Sequence, residues 1–263
     1  MYCNRLIALV FMLLAQVTVL SAAGMPKVVP VLVYHHIQPE TTSDVSCTPE
    51  QFESQMLAIL DAGFTPLNLE QMARFLKGGL PESIEKPMLI TFDDGYESLY
   101  FYALPVARKL KIPMTVFVIT SRIGRRPQFA DYLREEQIRE MSESGFWEFG
   151  SHTHDLHTDS VRIFEAFGPV KNNPVLELLS RDLRASLTRL EAIIGKKPEA
   201  IAWPYGKFNA QYTQTARECG FKLHFTSCSG YNEAGANPFA IKRLPVSSRD
   251  NASSIMKKLS RIR

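Results

Sequence analysis

An α/β fold organised on a parallel sheet is predicted by two regularities. Short apolar runs rich in β-branched residues recur between residues 28 and 226, and helical patterns separate them. A third observation bears on function: polar and aromatic side chains gather where these runs stop. In a parallel α/β sheet, open or closed into a barrel, ligands sit at the carboxyl ends of the strands.

Residues 1–23 stand apart from this alternation. Arg5 closes a short polar start, residues 6–20 are almost wholly apolar, and Ser21-Ala22-Ala23 offers small side chains for cleavage. That is the pattern of an export signal. The run is shorter than the roughly 20 residues a spanning helix needs, so a cleaved signal, a secreted or periplasmic product and no retained membrane span are expected. Residues 24–263 then form one domain, long enough for a full core and expected to be monomeric.

Along that domain, 28–34 reads as the first buried strand, followed by helices over 48–62 and 69–77. A strand at 88–92, a helix at 98–110, a strand at 115–119 and a helix at 134–144 come next, then a short strand candidate at 147–149. Residues 155–174 are polar and punctuated by Gly, Pro and Asn without a period, which predicts an inserted loop beside the ligand site. The clearest helix covers 176–194, with Leu183, Leu187, Leu190 and Ile194 on one stripe and Gly195 just past its end. A strand at 200–203, a helix at 209–219 and a strand at 222–226 complete the series. The basic tail from Lys257 to Arg263 reads as a solvated end, and a formal net charge of +3 gives no reason to expect nucleic acid as a partner.

Removing the signal removes Cys3 and leaves Cys47, Cys219 and Cys228. Cys219 and Cys228 flank a predicted strand and are a candidate pair whose distance the sequence leaves open. No two cysteines have metal-ligand spacing, which argues against a cysteine zinc site.

Four motifs close strands. Thr91-Phe92-Asp93-Asp94-Gly95-Tyr96 ends a buried strand on two adjacent carboxylates. Side chains alternate along a strand, so both reach one pocket only if the strand stops there, and Gly95 supplies the freedom to break the pattern. Two carboxylates that close require a cation or a shared proton. Ser151-His152-Thr153-His154-Asp155-Leu156-His157 places three of the six histidines within six residues, a density that favours metal ligation over isolated structural histidines. Trp203-Pro204-Tyr205-Gly206 and Tyr34-His35-His36-Ile37 close two further strands.

Together these motifs resemble the polysaccharide deacetylase family with the NodB-type domain, carbohydrate esterase family 4, and in particular the branch acting on poly-β-1,6-N-acetylglucosamine. The likeness covers roughly residues 31–246. It implies a distorted (β/α) barrel and an N-acetylated polysaccharide as substrate. It makes Asp93 the general base and Asp94, His152 and His157 the ligands of a divalent metal, with His154 a competing ligand because the second histidine comes one residue later than in the commoner family spacing. His35 becomes the general acid, and Tyr205 the donor of an oxyanion-holding backbone N–H. The arginine usual before the Pro-Tyr turn is missing, since Ile201-Ala202-Trp203 occupy that stretch. Arg243 is its substitute as the group that orients Asp93 from the substrate-binding wall. Trp203 and Tyr205, with Tyr96, offer stacking faces for sugars, core packing being the other use for Trp203.

The chemistry is coherent without the family. Amide hydrolysis needs an activated water, a stabiliser for the oxyanion and a proton for the leaving amine. Two imidazoles and one carboxylate suit zinc, cobalt or nickel and leave ligand positions open. A second carboxylate serves as base and a histidine as acid. The resulting expectation is a secreted N-deacetylase of N-acetylglucosamine units. Poly-β-1,6-N-acetylglucosamine is the first substrate, with peptidoglycan and chitin-like oligomers as alternatives. An iron oxygenase built on the same ligand triad is disfavoured by the alternating strands and helices, and a serine hydrolase by the lack of a Gly-x-Ser-x-Gly elbow. A catalytically idle glycan-binding domain with a structural metal would have no use for Asp93 or His35.

Overall fold

The computed structural model describes residues 28–40, 43–128, 130–157 and 174–260. The signal expected over 1–23, and residues 158–173 of the expected loop, lie outside the described residues. The strands are β1 (Val28–Tyr34), β2 (His36–Ile37), β3 (Ser46–Cys47), β4 (Thr65–Pro66), β5 (Pro87–Phe92), β6 (Met114–Val118), β7 (Trp147–Ser151), β8 (Ala200–Ala202), β9 (Leu223–Ser229), β10 (Tyr231–Glu233) and β11 (Ile241–Pro245). Seven of them run parallel in the order β1-β11-β9-β8-β7-β6-β5, and β5 pairs back to β1. The sheet is a closed barrel, one strand short of the common eight. Strand β10 adds antiparallel to β1, and β4 pairs with β5.

Strand alternation sorts side chains into two environments. Val29, Val31, Leu89, Phe117, Ala200, Ala202, Leu223 and Phe225 form one buried cluster inside the barrel. Leu32, Tyr34, Ile90, Phe92, Val116, Val118, Trp147 and Phe149 face outward into a second, larger cluster. The helices that cover it include α1 (Pro49–Asp61), α3 (Leu104–Leu110) and α4 (Glu135–Glu143). A third cluster lies between β8, α5 (Pro174–Ile194) and α6 (Ala210–Cys219).

Helix α2 (Leu69–Leu76) plugs the amino-terminal end of the barrel. Its Met72, Phe75 and Leu76 join the interior cluster, while the Glu148 carboxylate accepts the Leu69 N–H at 2.6 Å. With that end closed, the opposite rim is the open one. Local signals fix the helix starts: Thr48 with Gln51 and Asn68 with Gln71 form capping boxes, and Gly220 ends α6 in the left-handed conformation.

Two expectations need correction and one open question is answered. The helix expected over 98–110 is a π-helical turn, Leu99–Ala103, running into α3. Pro105 lacks the N–H that would continue an α ladder there, and the wider turn absorbs the defect. The carboxyl-terminal segment is not a solvated end through residue 260. Helix α7 (Ala252–Ser260) buries Ile255 and Leu259 in the cluster that holds Phe52, Met56 and Ile59 of α1. The pairing of Cys219 and Cys228, left open by the sequence, does not form: both are free, Cys219 buried at the end of α6 and Cys228 exposed near the far end of β9. Among the described residues no helix is long and apolar enough to cross a membrane.

Candidate active site

Asp93 continues the inward series of Leu89 and Thr91 and so points into the barrel mouth. By the same alternation Asp94 belongs outside. It is turned back by a left-handed backbone, φ +71°, followed by Gly95 at φ +82°. A Cβ on Gly95 would stand 3.1 Å from a Val118 methyl, so both conformation and space call for glycine. Two sequence neighbours thereby face one pocket with different surroundings.

His152 also points inward, in step with Gly150. Its Nδ1 lies 2.8 Å from the Ala202 carbonyl oxygen, which leaves Nε2 directed at Asp94 Oδ1, 3.6 Å away. His157 Nε2 lies 3.3 Å from the same oxygen. The donor atoms of Asp94, His152 and His157 all fall within 4.8 Å of one another. Asp94 Oδ1 is buried without a hydrogen-bond partner, a costly state for a carboxylate oxygen that a cation relieves. Two imidazoles and one carboxylate fit a divalent transition ion. Burial, reinforced by His152, pulls the His157 pKa down to about 4, so its ring is neutral at physiological pH, as ligation requires. His154 is turned away, its Nδ1 lying 2.9 Å from Thr120 Oγ1.

Asp93 has a different partner. Arg243 Nη1 and Nη2 each donate to one of its oxygens at 2.8 Å, and Arg243 Nε donates to the Thr226 carbonyl at 2.8 Å. That carbonyl belongs to an irregularity: Ile241 pairs with Phe225 while Arg243 pairs with Ser229, so β9 bulges over 226–228 and turns its backbone toward the guanidinium. Burial would raise the Asp93 carboxyl, and Arg243, with His152 and His35, outweighs it and holds the group well below the usual carboxylate range. Asp93 is ionised and fixed in orientation. Arg243 is 2% exposed, has these donors engaged by Asp93 and the Thr226 carbonyl, and also lines the cavity at this rim.

The open cavity at this rim measures about 400 Å³ and includes His35, Asp93, Asp94, His152, His157 and Tyr205 in its lining. His35 is half-buried, with Nδ1 unpartnered. Tyr205 is 60% exposed and its ring lies 4.9 Å from that of His157. Trp203 reaches the cavity wall, but alternation after Ala202 sends its ring outward. There it packs among Leu183, Leu187 and Tyr212 at 2% exposure, so the open stacking face expected of it is absent. Tyr96 stacks between His36 and Tyr132. Val45 and Ser227 also line the cavity. Val45 carries no sequence signal, being a lone apolar loop residue. Ser227 shows its place only through the β9 bulge.

Residues 81–224 match the family profile described as polysaccharide deacetylase. A poly-β-1,6-N-acetyl-D-glucosamine N-deacetylase of Staphylococcus epidermidis is 32% identical over 206 residues, 77% of this chain and 68% of that protein. One of the same name from Staphylococcus aureus strain N315 is 29% identical over 218 residues, 82% of this chain and 72% of the relative. The solved structure of IcaB from Ammonifex degensii superposes with a TM-score of 0.77 at 30% identity, covering 89% of this chain and 98% of that one. A de-N-acetylase from Aggregatibacter actinomycetemcomitans, 23% identical over 88% of this chain and 100% of its own, shares the fold with a TM-score of 0.74. With its barrel, its paired aspartates and more than half its length matched, the chain belongs to the polysaccharide deacetylase family.

Proposed function

We propose that this polysaccharide deacetylase is an exported, metal-dependent enzyme that hydrolyses the acetamido groups of N-acetylglucosamine units, with poly-β-1,6-N-acetylglucosamine as its substrate. One observation carries the reading. Two consecutive carboxylates at one pocket have divergent environments: Asp94 has a bare oxygen facing two imidazoles, and Asp93 is clamped by Arg243. The named activity of the staphylococcal relatives supports the choice of glycan.

Asp94, His152 and His157 would hold the ion, with zinc, cobalt and nickel all suited to that donor set. When bound, the ion supplies Lewis acidity that polarises the acetyl carbonyl and lowers the pKa of a water toward roughly 7. Asp93 takes the proton from the attacking water; the arginine fork leaves each of its oxygens a further lone pair. Arg243 weakens Asp93 as a base while fixing its orientation. The Tyr205 N–H, on the turn at the cavity edge, donates to the oxyanion. His35, which follows β1 just as Asp93 follows the neighbouring β5 and lines the same cavity, donates the proton that lets the amine leave. Tyr205 presents its ring to the sugar at the rim.

The test is amine release from β-1,6-linked N-acetylglucosamine oligomers by the metal-stripped chain, then with zinc, cobalt or nickel restored. Turnover should return with metal and be lost in Asp93→Asn while metal binding persists. A folded, metal-loaded protein that releases no amine from these oligomers, yet does so from chitin or peptidoglycan fragments, would move the substrate assignment. Inactivity on all three would leave a glycan-binding role.

A further inference from the structure

Helix α5 presents Leu179, Asp182, Leu183 and Ser186 on one face, at i, i+3, i+4 and i+7. That face meets the loop between His152 and His157. Asp182 is 7% exposed, and its two oxygens each accept a backbone N–H, from His154 at 2.8 Å and from Asp155 at 2.7 Å. One turn along, Ser186 Oγ lies 2.6 Å from Ser151 Oγ, which accepts the Thr153 N–H at 3.0 Å. Leu156 packs in the cluster that contains Leu179 and Leu183. Residues 153–156 are thus tied to one helix, and the next residue is His157.

Thr153 has φ +69°, a left-handed conformation that is a genuine outlier for a β-branched residue. It turns the two following N–H groups toward one point, forming an anion-binding concavity. Asp182 fills that concavity, which stabilises the strained backbone and satisfies a buried carboxylate in one arrangement.

We propose that Asp182 is a positioning residue for His157: it anchors the loop on α5 and so fixes where His157 Nε2 stands relative to Asp94. The inference rests on the reading of Asp94, His152 and His157 as a metal-ligand set. Partners that orient ligands from behind typically change metal affinity by about 10–100-fold when removed.

The experiment compares Asp182→Ala, Asp182→Asn and Ile193→Ala, the last loosening α5 at its far end in the other core cluster. Metal-stripped proteins are titrated with cobalt(II), reading the binding constant and the visible absorption of the bound ion, and their thermal unfolding is recorded before loading. Asp182→Ala should bind cobalt at least about tenfold more weakly with an altered spectrum, and its deacetylation deficit should shrink as cobalt is raised. Asp182→Asn, which keeps one acceptor oxygen, should fall between. Ile193→Ala should lower Tm yet keep wild-type affinity and spectrum. Wild-type affinity and spectrum in Asp182→Ala overturn the inference whatever its Tm, and Asp182→Asn decides in the same way if the alanine variant does not fold. A wild-type chain that takes up no cobalt, zinc or nickel overturns the metal-site reading and this inference with it.

Discussion

At the scale of single residues, the pairing of Asp93 with Arg243 sets the behaviour of the proposed base. A lysine at 243 keeps the charge but loses the planar fork that engages both carboxylate oxygens and the Thr226 carbonyl. Arg243→Lys should lower kcat by about a hundredfold, the lower end of what a positioned base contributes. The pH profile carries the sign: Arg243 pulls the Asp93 pKa down against burial, so weakening that contact raises the pKa. The acidic limb of kcat/KM should then move to higher pH, and an unmoved limb in a slowed variant would show that Asp93 is not the titrating base. Asp93, Asp94, His152 and His157 are legible in the sequence because adjacent carboxylates and clustered histidines are rare at strand ends. Arg243 is legible only through the arginine missing before Pro204. Asp182 has a weaker signal, a lone carboxylate beside the apolar stripe of a helix, and nothing in the pattern tells a surface acid from a buried clamp.

At the scale of elements, the β9 bulge supports two functional groups at once. Its Thr226 carbonyl holds Arg243, and Ser227 Oγ donates to the Tyr205 carbonyl at 3.2 Å. The turn Pro204–Gly206 packs against the bulge so closely that a Cβ on Gly206, at φ +67°, would stand 2.8 Å from the Ser227 backbone nitrogen. Gly206→Ala must push the turn away from β9 or distort the bulge. It should reduce kcat by at least about tenfold with cobalt affinity nearly unchanged, because the proposed metal donors follow β5 and β7 rather than β8 or β9; each 1.4 kcal/mol of misplacement in the transition state is worth that factor. Steady-state kinetics beside a cobalt titration checks this, and an equal loss of metal affinity would count against it. The strands carrying the motifs are readable in advance, since they combine apolar runs with turn residues. Strand β11 is not: in Ile241–Pro245 the adjacent Lys242 and Arg243 interrupt the apolar residues, so no period of two betrays it. The choice between the two uses of Trp203 is hidden for a related reason, as its side depends on whether the strand keeps its parity through Ala202.

At the scale of the whole molecule, His224 stores a dependence of stability on pH. It is fully buried on the outer side of β9 between Trp203 and Phe239, and both ring nitrogens lack a hydrogen-bond partner. Burial, reinforced by Arg217 and opposed by the Phe221 backbone, lowers its pKa from 6.5 to about 4. The unfolded chain therefore binds the extra proton first, between those values, and stability falls as pH drops through that window. The loss from this residue should be about 1 kcal/mol at pH 5.5 and about 3 kcal/mol by pH 4, with none above pH 7. Urea unfolding of wild type and His224→Leu across this range measures it, and parallel curves for the two would remove His224 as the cause. The closed barrel has a further consequence, in the order in which the chain is made. The proposed metal donors are complete once His157 has been synthesised, yet Asp93 meets Arg243 from 150 positions further on, on the strand that seals β9 to β1. A nascent or clipped fragment that stops before Ile241 would carry all three proposed metal donors beside a buried acid without its arginine and an unsealed barrel, so the proposed base is held in place only when the chain is nearly complete.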